Sequence, residues 1–270
     1  MTVRTLRLSE TGKIVAWQEA GHGDPLILIH GVGMQSAAWG PQIKTLSAEF
    51  RVLALDMPGH RASDPLAAGS ALPDYVAWLH AVINALGLER ANIAGHSMGA
   101  LIALGFAIEH PEHTNRVALV NGVYQRTAAA RKAVMDRAND IQNGKIDLTT
   151  PLNRWFADTA ADRTARAQVA EWLGSVDGQG YATAYTAFAK GDMVYADRIG
   201  EIAGPFLALT GSDDPNSTPE MSSAMAAAAQ QGRAVTIEGH RHMVNLTAPD
   251  DVTAHLRRWL HTPLDQEALR

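Results

Sequence analysis

The chain of 270 residues contains no cysteine, which excludes disulfides, thiolate metal sites and a thiol nucleophile. No run of about 18 uninterrupted apolar residues occurs, and the opening MTVRTLRLSETGKIV lacks a basic end followed by an apolar core. A cytoplasmic protein with no membrane partner is therefore expected. Basic excess is missing too: 23 Lys and Arg stand against 28 Asp and Glu, for a net charge of -5. Those cations are scattered along the chain, so nucleic acid is not an expected partner. Aromatic residues are scarce at 6%, which gives weight to any segment that collects them. Apolar residues, in contrast, make up 46%, enough for the core of one large globular body.

Short β-rich runs alternate with helical patterns, the signature of a mostly parallel sheet wrapped by helices. TVRTLRL and KIVAWQEAG predict an opening pair of strands. PLILIHG, at 25–31, is a continuous apolar run, as a strand buried on both faces requires, and RVLALDMPG, NIAGHS and RVALVNG repeat the pattern. Helical spacing covers 36–48 and 74–87, the second with Val76, Ala77, Leu79, Val82, Ile83 and Leu86 in one broad stripe. Over 124–203 the strand rhythm stops in favour of helix-length periodicity, and PFLALTG and RAVTIEG then resume it, each followed by a helix. The expected organisation is a core of 1–123 and 204–270, with 124–203 as a helical cap over one end of the sheet.

The strand NIAGHS runs directly into the helical MGALIALGFAIEH, and Gly95-His96-Ser97-Met98-Gly99 stands at the junction. G-x-S-x-G in a strand-turn-helix setting marks a sharp turn that exposes a serine oxygen at a helix N-terminus. Ser97 is the candidate nucleophile. A serine nucleophile needs donors for the developing oxyanion, and the Met98 N–H follows it immediately. The second donor is expected from the Gly-rich loop His30-Gly31-Val32-Gly33-Met34, with Val32 the first choice and Gly33 the alternative.

Two stretches offer partners for the serine. GSDDP holds Asp213 and Asp214, and EGHRHMV holds His240 and His242. An aspartate is needed to orient a histidine base. Histidines at H-x-H spacing would also suit a metal, but no cysteine or acidic cluster supplies further ligands, so neither metal nor cofactor is expected. Here the chain resembles the α/β-hydrolase superfamily, through HGVG at 30–33, DMPGHRASD at 56–64, GHSMG at 95–99, GSDDPNSTP at 211–219 and GHRHMVNLTAP at 239–249. That resemblance implies a mostly parallel eight-stranded sheet flanked by helices, a helical cap after the sixth strand, and a Ser-Asp-His triad in that order. It also selects Asp214 over Asp213 and His242 over His240. An acid position after the sixth strand, used in some similar proteins, holds Asn121 here.

Trp155, Phe156, Trp172, Tyr181, Tyr185 and Phe188 gather in the insertion, where they would either roof a pocket or form the insertion's own small core. GYATAYTAFAKGDMV, at 180–194, is similar to the cap of 3-oxoadipate enol-lactonase-like proteins. Trp155 and Tyr185, with Gly33, Met34 and Trp39 near the first loop, are the candidate substrate contacts. Arg61, where similar proteins often carry glycine, would bind a substrate carboxylate or lie solvated on the surface. The expected activity is hydrolysis of a small ester, lactone or activated carbonyl through an acyl-enzyme. Carbon–carbon bond hydrolysis of a ring-cleavage diketone is the runner-up, and a triad-bearing small-molecule receptor is the reading from another class.

Overall fold

The computed structural model describes residues 2–145 and 147–264. Residues 1, 146 and 265–270, which fall within the expected domain ranges, lie outside the described residues. Eight strands are formed among the described residues: β1 (Thr2–Arg7), β2 (Ile14–Ala20), β3 (Pro25–Ile29), β4 (Arg51–Leu55), β5 (Ala91–His96), β6 (Thr114–Val120), β7 (Phe206–Gly211) and β8 (Gly232–Ile237). They join in one sheet of order β1-β2-β4-β3-β5-β6-β7-β8. β2 runs antiparallel to β1 and β4, and the pairings from β4 through β8 are parallel.

The helices are α1 (Gly40–Leu46), α2 (Leu72–Ala85), α3 (Met98–Glu109), α4 (Ala128–Gln142), α5 (Thr149–Trp155), α6 (Ala160–Ser175), α7 (Gly178–Gly191), α8 (Pro219–Ala228), α9 (Val244–Thr247) and α10 (Pro249–Leu260). The stretch expected to be helical from 36 opens instead as a 3-10 turn, Ser36–Trp39, and Pro41 in the first turn of α1 sets where the α-helix begins.

Apolar residues fill both faces of the inner strands, which is why those strands read as continuous runs. Leu26 and Leu28 join Val52, Ala54 and Ala94 on one face, under Ile43 and Leu46 of α1 and Val252 and Leu256 of α10. Ile27 and Ile29 join Leu53, Leu55 and Ile93 on the other, under α2 and α3. A slip of one residue would exchange the two sets, so the pattern fixes the register. Helix α10 places Asp250 and Asp251 in its first turn and Arg257 and Arg258 in its last, each complementing the helix dipole.

Helices α4–α7 lie between β6 and β7 in the chain. The starts of α4, α6 and α7 are capped by side chains, Thr127 on Ala130 N–H, Thr159 on Asp162 N–H and Asp177 on Gly180 N–H. Tyr181 and Ala184 of α7 are buried in the same apolar cluster as Ile27 and Ile29, so these helices share the core of one sheet face. The loops after β3, β5, β7 and β8 all leave from the carboxyl ends of parallel strands, where ligand sites of such sheets form. Among the described residues no helix is long and apolar enough to cross a membrane.

Candidate active site

Strand β5 is buried throughout and delivers the chain from His96 straight into α3. At the junction Ser97 has φ 54° and ψ -113°, a conformation that a residue with a β-carbon adopts only when its surroundings impose it. The imposition is visible on both sides: Ser97 N–H donates to Val120 C=O at 2.9 Å, and Ser97 C=O accepts from Ala100 N–H at 3.0 Å. A β-carbon at position 95 would lie 1.9 Å from the Gly99 carbonyl oxygen, and one at 99 would lie 2.2 Å from that of Ile29. Strand, helix and neighbouring strand meet there with no room for a side chain.

His242 follows β8 and bridges the two remaining candidates. Its Nδ1–H donates to Asp214 Oδ2 at 2.7 Å, and Ser97 Oγ–H donates to its Nε2 at 3.1 Å. A carboxylate only accepts, so the aspartate fixes the proton on Nδ1 and leaves Nε2 open to the serine. Burial alone would raise the Asp214 pKa. His242, Asn216 N–H on Oδ1 (2.8 Å) and Asn121 Nδ2 on Oδ2 (2.8 Å) outweigh it and hold the carboxyl below the usual aspartate range.

The loop after β3 is clamped by histidines that must stay neutral. His30 Nδ1–H donates to Gly31 C=O at 2.7 Å while its Nε2 accepts from Met57 N–H at 2.9 Å. His60 Nδ1–H donates to Pro58 C=O at 3.0 Å, which leaves Nε2 to accept Gly33 N–H at 2.9 Å. Gly33 N–H is thus occupied, whereas Val32 N–H makes no hydrogen bond among the described residues. Met98 N–H belongs to the first turn of α3, whose amides lack intrahelical acceptors.

Burial pulls the pKa of His60 down to about 4 and that of His96, whose Nε2–H donates to His242 C=O, down to about 3. In the unfolded chain both titrate near 6.5, so between these values the unfolded state binds more protons. Their contribution to stability is complete above pH 6.5 and is lost as the pH falls toward 4. Each is expected to withdraw roughly 3 kcal/mol by pH 4. Urea unfolding midpoints at pH 7.5 and 4.5 test this: equal midpoints would contradict neutral, clamping histidines.

Ser97 and His242 stand in the wall of a cavity of about 190 Å³ that Val32, Val123, Trp155, Tyr185, Phe188 and Met221 also line. That volume is small beside pockets for drug-sized ligands and suits a small substrate. The Trp155 ring lies over that of His242, with centroids 6.0 Å apart and planes inclined by 29°. Arg126, Arg137 and Arg154 also line the cavity, and among the described residues no Asp or Glu does. Among the described residues no cluster of three or more His, Asp or Glu is placed to hold a metal ion.

Residues 24–249 match the alpha/beta hydrolase fold family. The chain belongs to that family. Its relatives include an (E)-2-((N-methylformamido)methylene)succinate hydrolase from Acinetobacter baylyi, 49% identical over 262 residues that cover 97% of this chain and 99% of the relative. Among solved structures, the enol-lactonase from Burkholderia xenovorans LB400 matches with TM-score 0.86 at 24% identity, over 96% of this chain and 100% of that one. A thermophilic esterase from Thermogutta terrifontis matches with TM-score 0.86 at 23% identity, over 96% and 98%. The two structures establish the fold, and the near full-length likeness to the Acinetobacter protein makes this chain a hydrolase.

In this alpha/beta hydrolase the expected site residues divide into two groups. Ser97, His242 and Asp214 share one hydrogen-bonded row, and Val32, Trp155 and Tyr185 line the cavity beside it. Trp39, Met34 and Gly33 lie elsewhere. Trp39 is fully buried with Leu26 and Leu28 on the opposite face of the sheet, because the 3-10 turn rotates it away from the loop that precedes it. Met34 lines a separate surface cavity with Arg61 and Trp172. Gly33 packs beneath the insertion: a β-carbon there would lie 2.5 Å from Leu173 Cδ1. Arg61 is exposed, in keeping with the solvated alternative. His240 turns its Nδ1 to Thr247 Oγ1 at 2.9 Å, and Asp213 accepts from Ser212 Oγ–H at 2.8 Å.

Sequence reasoning missed the three arginines. Their signal was present in part: Ala130, Ala133, Val134 and Arg137 follow i, i+3, i+4, i+7 spacing on α4, so they share one face, and that face borders the cavity.

Proposed function

We propose that this hydrolase cleaves an acyl bond in a small, open-chain, conjugated dicarboxylate by transfer of the acyl group to Ser97. The observation that carries this is the unbroken row Ser97–His242–Asp214 in the wall of a small cavity. The substrate class comes from likeness to the Acinetobacter protein, named for an open-chain diacid that bears an N-methylformamide on a conjugated carbon. That likeness favours the runner-up expectation, carbon–carbon bond hydrolysis of a ring-cleavage diketone, over a simple ester or lactone, with a change in the bond that is broken. In such a compound the acyl carbon is bonded to nitrogen, and the bond broken is carbon–nitrogen.

His242 accepts the Ser97 proton as Oγ attacks the acyl carbon, and Asp214 stabilises the imidazolium. The N–H groups of Val32 and Met98 hold the oxyanion. As the tetrahedral adduct collapses, the C–N bond breaks, and its electron pair is shared with the conjugated alkene and carboxylate, which makes the nitrogen a better leaving group than a simple amine. His242 returns the proton to that nitrogen or to the conjugated carbon. Water then attacks the acyl-enzyme with His242 again as base, releasing the acid and restoring Ser97. Residues 124–203 serve as the cap of this site and 1–123 with 204–270 as its core, a division supported by the position of α4–α7 in the chain and by the cavity residues they supply.

Steady-state turnover with (E)-2-((N-methylformamido)methylene)succinate, followed by formate release, is expected above about 1 per second. Its kcat/KM should exceed that for p-nitrophenyl acetate and for a plain enol-lactone by about 100-fold or more. The opposite ranking would restore ester or lactone hydrolysis as the better reading.

A further inference from the structure

Among the described residues the cavity wall gathers three cations and no anion, in a chain of net charge -5. The three are held differently. Arg126 is built into the structure: its side chain is 3% exposed, its Nη1 lies 3.2 Å from Asp192 Oδ1, and its guanidinium carbon sits 4.4 Å from the centre of the Phe188 ring. Asp192, at the end of α7, also accepts the Arg126 backbone N–H at 2.8 Å and pairs with Arg131 at 3.4 Å. One carboxylate therefore answers two guanidinium groups, and the cluster keeps a positive charge. Arg126 Nη2 is shielded from solvent and has no hydrogen-bond partner among the described residues. A buried guanidinium N–H without an acceptor is unfavourable, and a ligand carboxylate supplies both the acceptor and the opposite charge. Arg137 is tethered by Nη2 to Asp147 C=O at 2.8 Å beside the Tyr185 ring. The side chain of Arg154, exposed at the end of α5, makes no hydrogen bond or ion pair among the described residues.

Resting on the acyl-transfer reading above, we propose that Arg126, positioned by Asp192, binds one carboxylate of the substrate while Arg137 and Arg154 receive the other, so that the cavity selects a small dianion and presents its acyl carbon to Ser97. The planar fork of a guanidinium matches a carboxylate in two parallel hydrogen bonds, which fixes orientation as well as affinity. A neutral ester gains none of these contacts. Asp192 acts only through Arg126, as a positioning residue.

The experiment compares the diacid with p-nitrophenyl acetate as substrates, and succinate with succinamide as inhibitors of p-nitrophenyl acetate hydrolysis. Succinate is expected to inhibit competitively and succinamide far more weakly. In Arg126→Gln the Ki for succinate should rise by about 10- to 100-fold, and the ratio of kcat/KM for the diacid to that for the ester should fall by a similar factor. Arg126→Lys should lie between the two, since it keeps charge without the fork. Because Arg126→Gln leaves Asp192 with Arg131 alone, its unfolding midpoint is measured alongside, and the exposed Arg154→Gln must show the same change in ratio at about 5- to 10-fold. An unchanged succinate Ki and an unchanged ratio in these variants would overturn the proposal and leave the arginines a packing role. Succinate binding that depends on Arg126, without turnover of the diacid, would sustain the carboxylate site and refute the acyl-transfer reading instead.

Discussion

Ser97→Ala is expected to lower kcat by about 10⁴- to 10⁶-fold, with little change in the unfolding midpoint. Removing Oγ deletes one hydrogen bond, to His242, and relieves none of the contacts among Gly95, Gly99 and Ile29 that force the strained turn. A fluorophosphonate should label the native chain once, at Ser97, and leave the variant unlabelled. His242→Ala should match Ser97→Ala, and the double variant should be no worse than either, because a nucleophile without its base is already disabled. His240→Ala should stay within about tenfold of the native rate, since its ring is engaged with Thr247 away from the serine. A chain in which only the His240 change abolished turnover would place the base two residues earlier.

The pair of histidines shows how far sequence alone reaches. Strands were legible because burial on both faces writes unbroken apolar runs such as PLILI, and the serine turn because its contacts admit only glycine at 95 and 99. The choice of His242 over His240 came from resemblance, and its structural cause lies in the backbone. His240 C=O accepts the Asp213 N–H at 3.0 Å, and a β-carbon on Gly211 would lie 2.1 Å from that oxygen. With residue 240 pressed against the end of β7, its ring turns outward and the ring two positions on turns in. No local pattern encodes that contact, which joins the end of β7 to the loop after β8 across a helix-length separation in the chain. Trp39 misleads for the opposite reason: near the oxyanion loop in sequence, it lies across the sheet in space. The arginines escape because an arginine in a helical segment ordinarily reads as a solvated charge, and only the meeting of α4, α5 and the loop after β6 turns Arg137, Arg154 and Arg126 toward one cavity.

Asp214→Asn is expected to reduce kcat by about 10⁴-fold. An asparagine at 214 lacks the charge that stabilises the imidazolium. Its amide also lets the N–H side face His242 Nδ1, which would move the histidine proton to Nε2 and remove the acceptor that Ser97 needs. Asn121 offers a way to ask whether the charge or its seat matters more. Its Nδ2 donates to Asp214 Oδ2 at 2.8 Å, the same oxygen that accepts from His242. Its backbone has φ 49°, which aspartate tolerates nearly as well as asparagine. Exchanging the two, Asn121→Asp with Asp214→Asn, returns one carboxylate to the row from the end of β6. The double variant should recover about 10- to 100-fold of the rate lost in Asp214→Asn, the worth of a charge-assisted hydrogen bond. Asn121→Asp alone should instead set two carboxylates against each other and raise the pKa of one of them, moving the acid limb of the pH–rate profile upward. A double variant no faster than Asp214→Asn would mean that the acid must stand on the loop after β7, where Asn216 N–H holds its second oxygen at 2.8 Å, and that position outweighs charge in orienting His242.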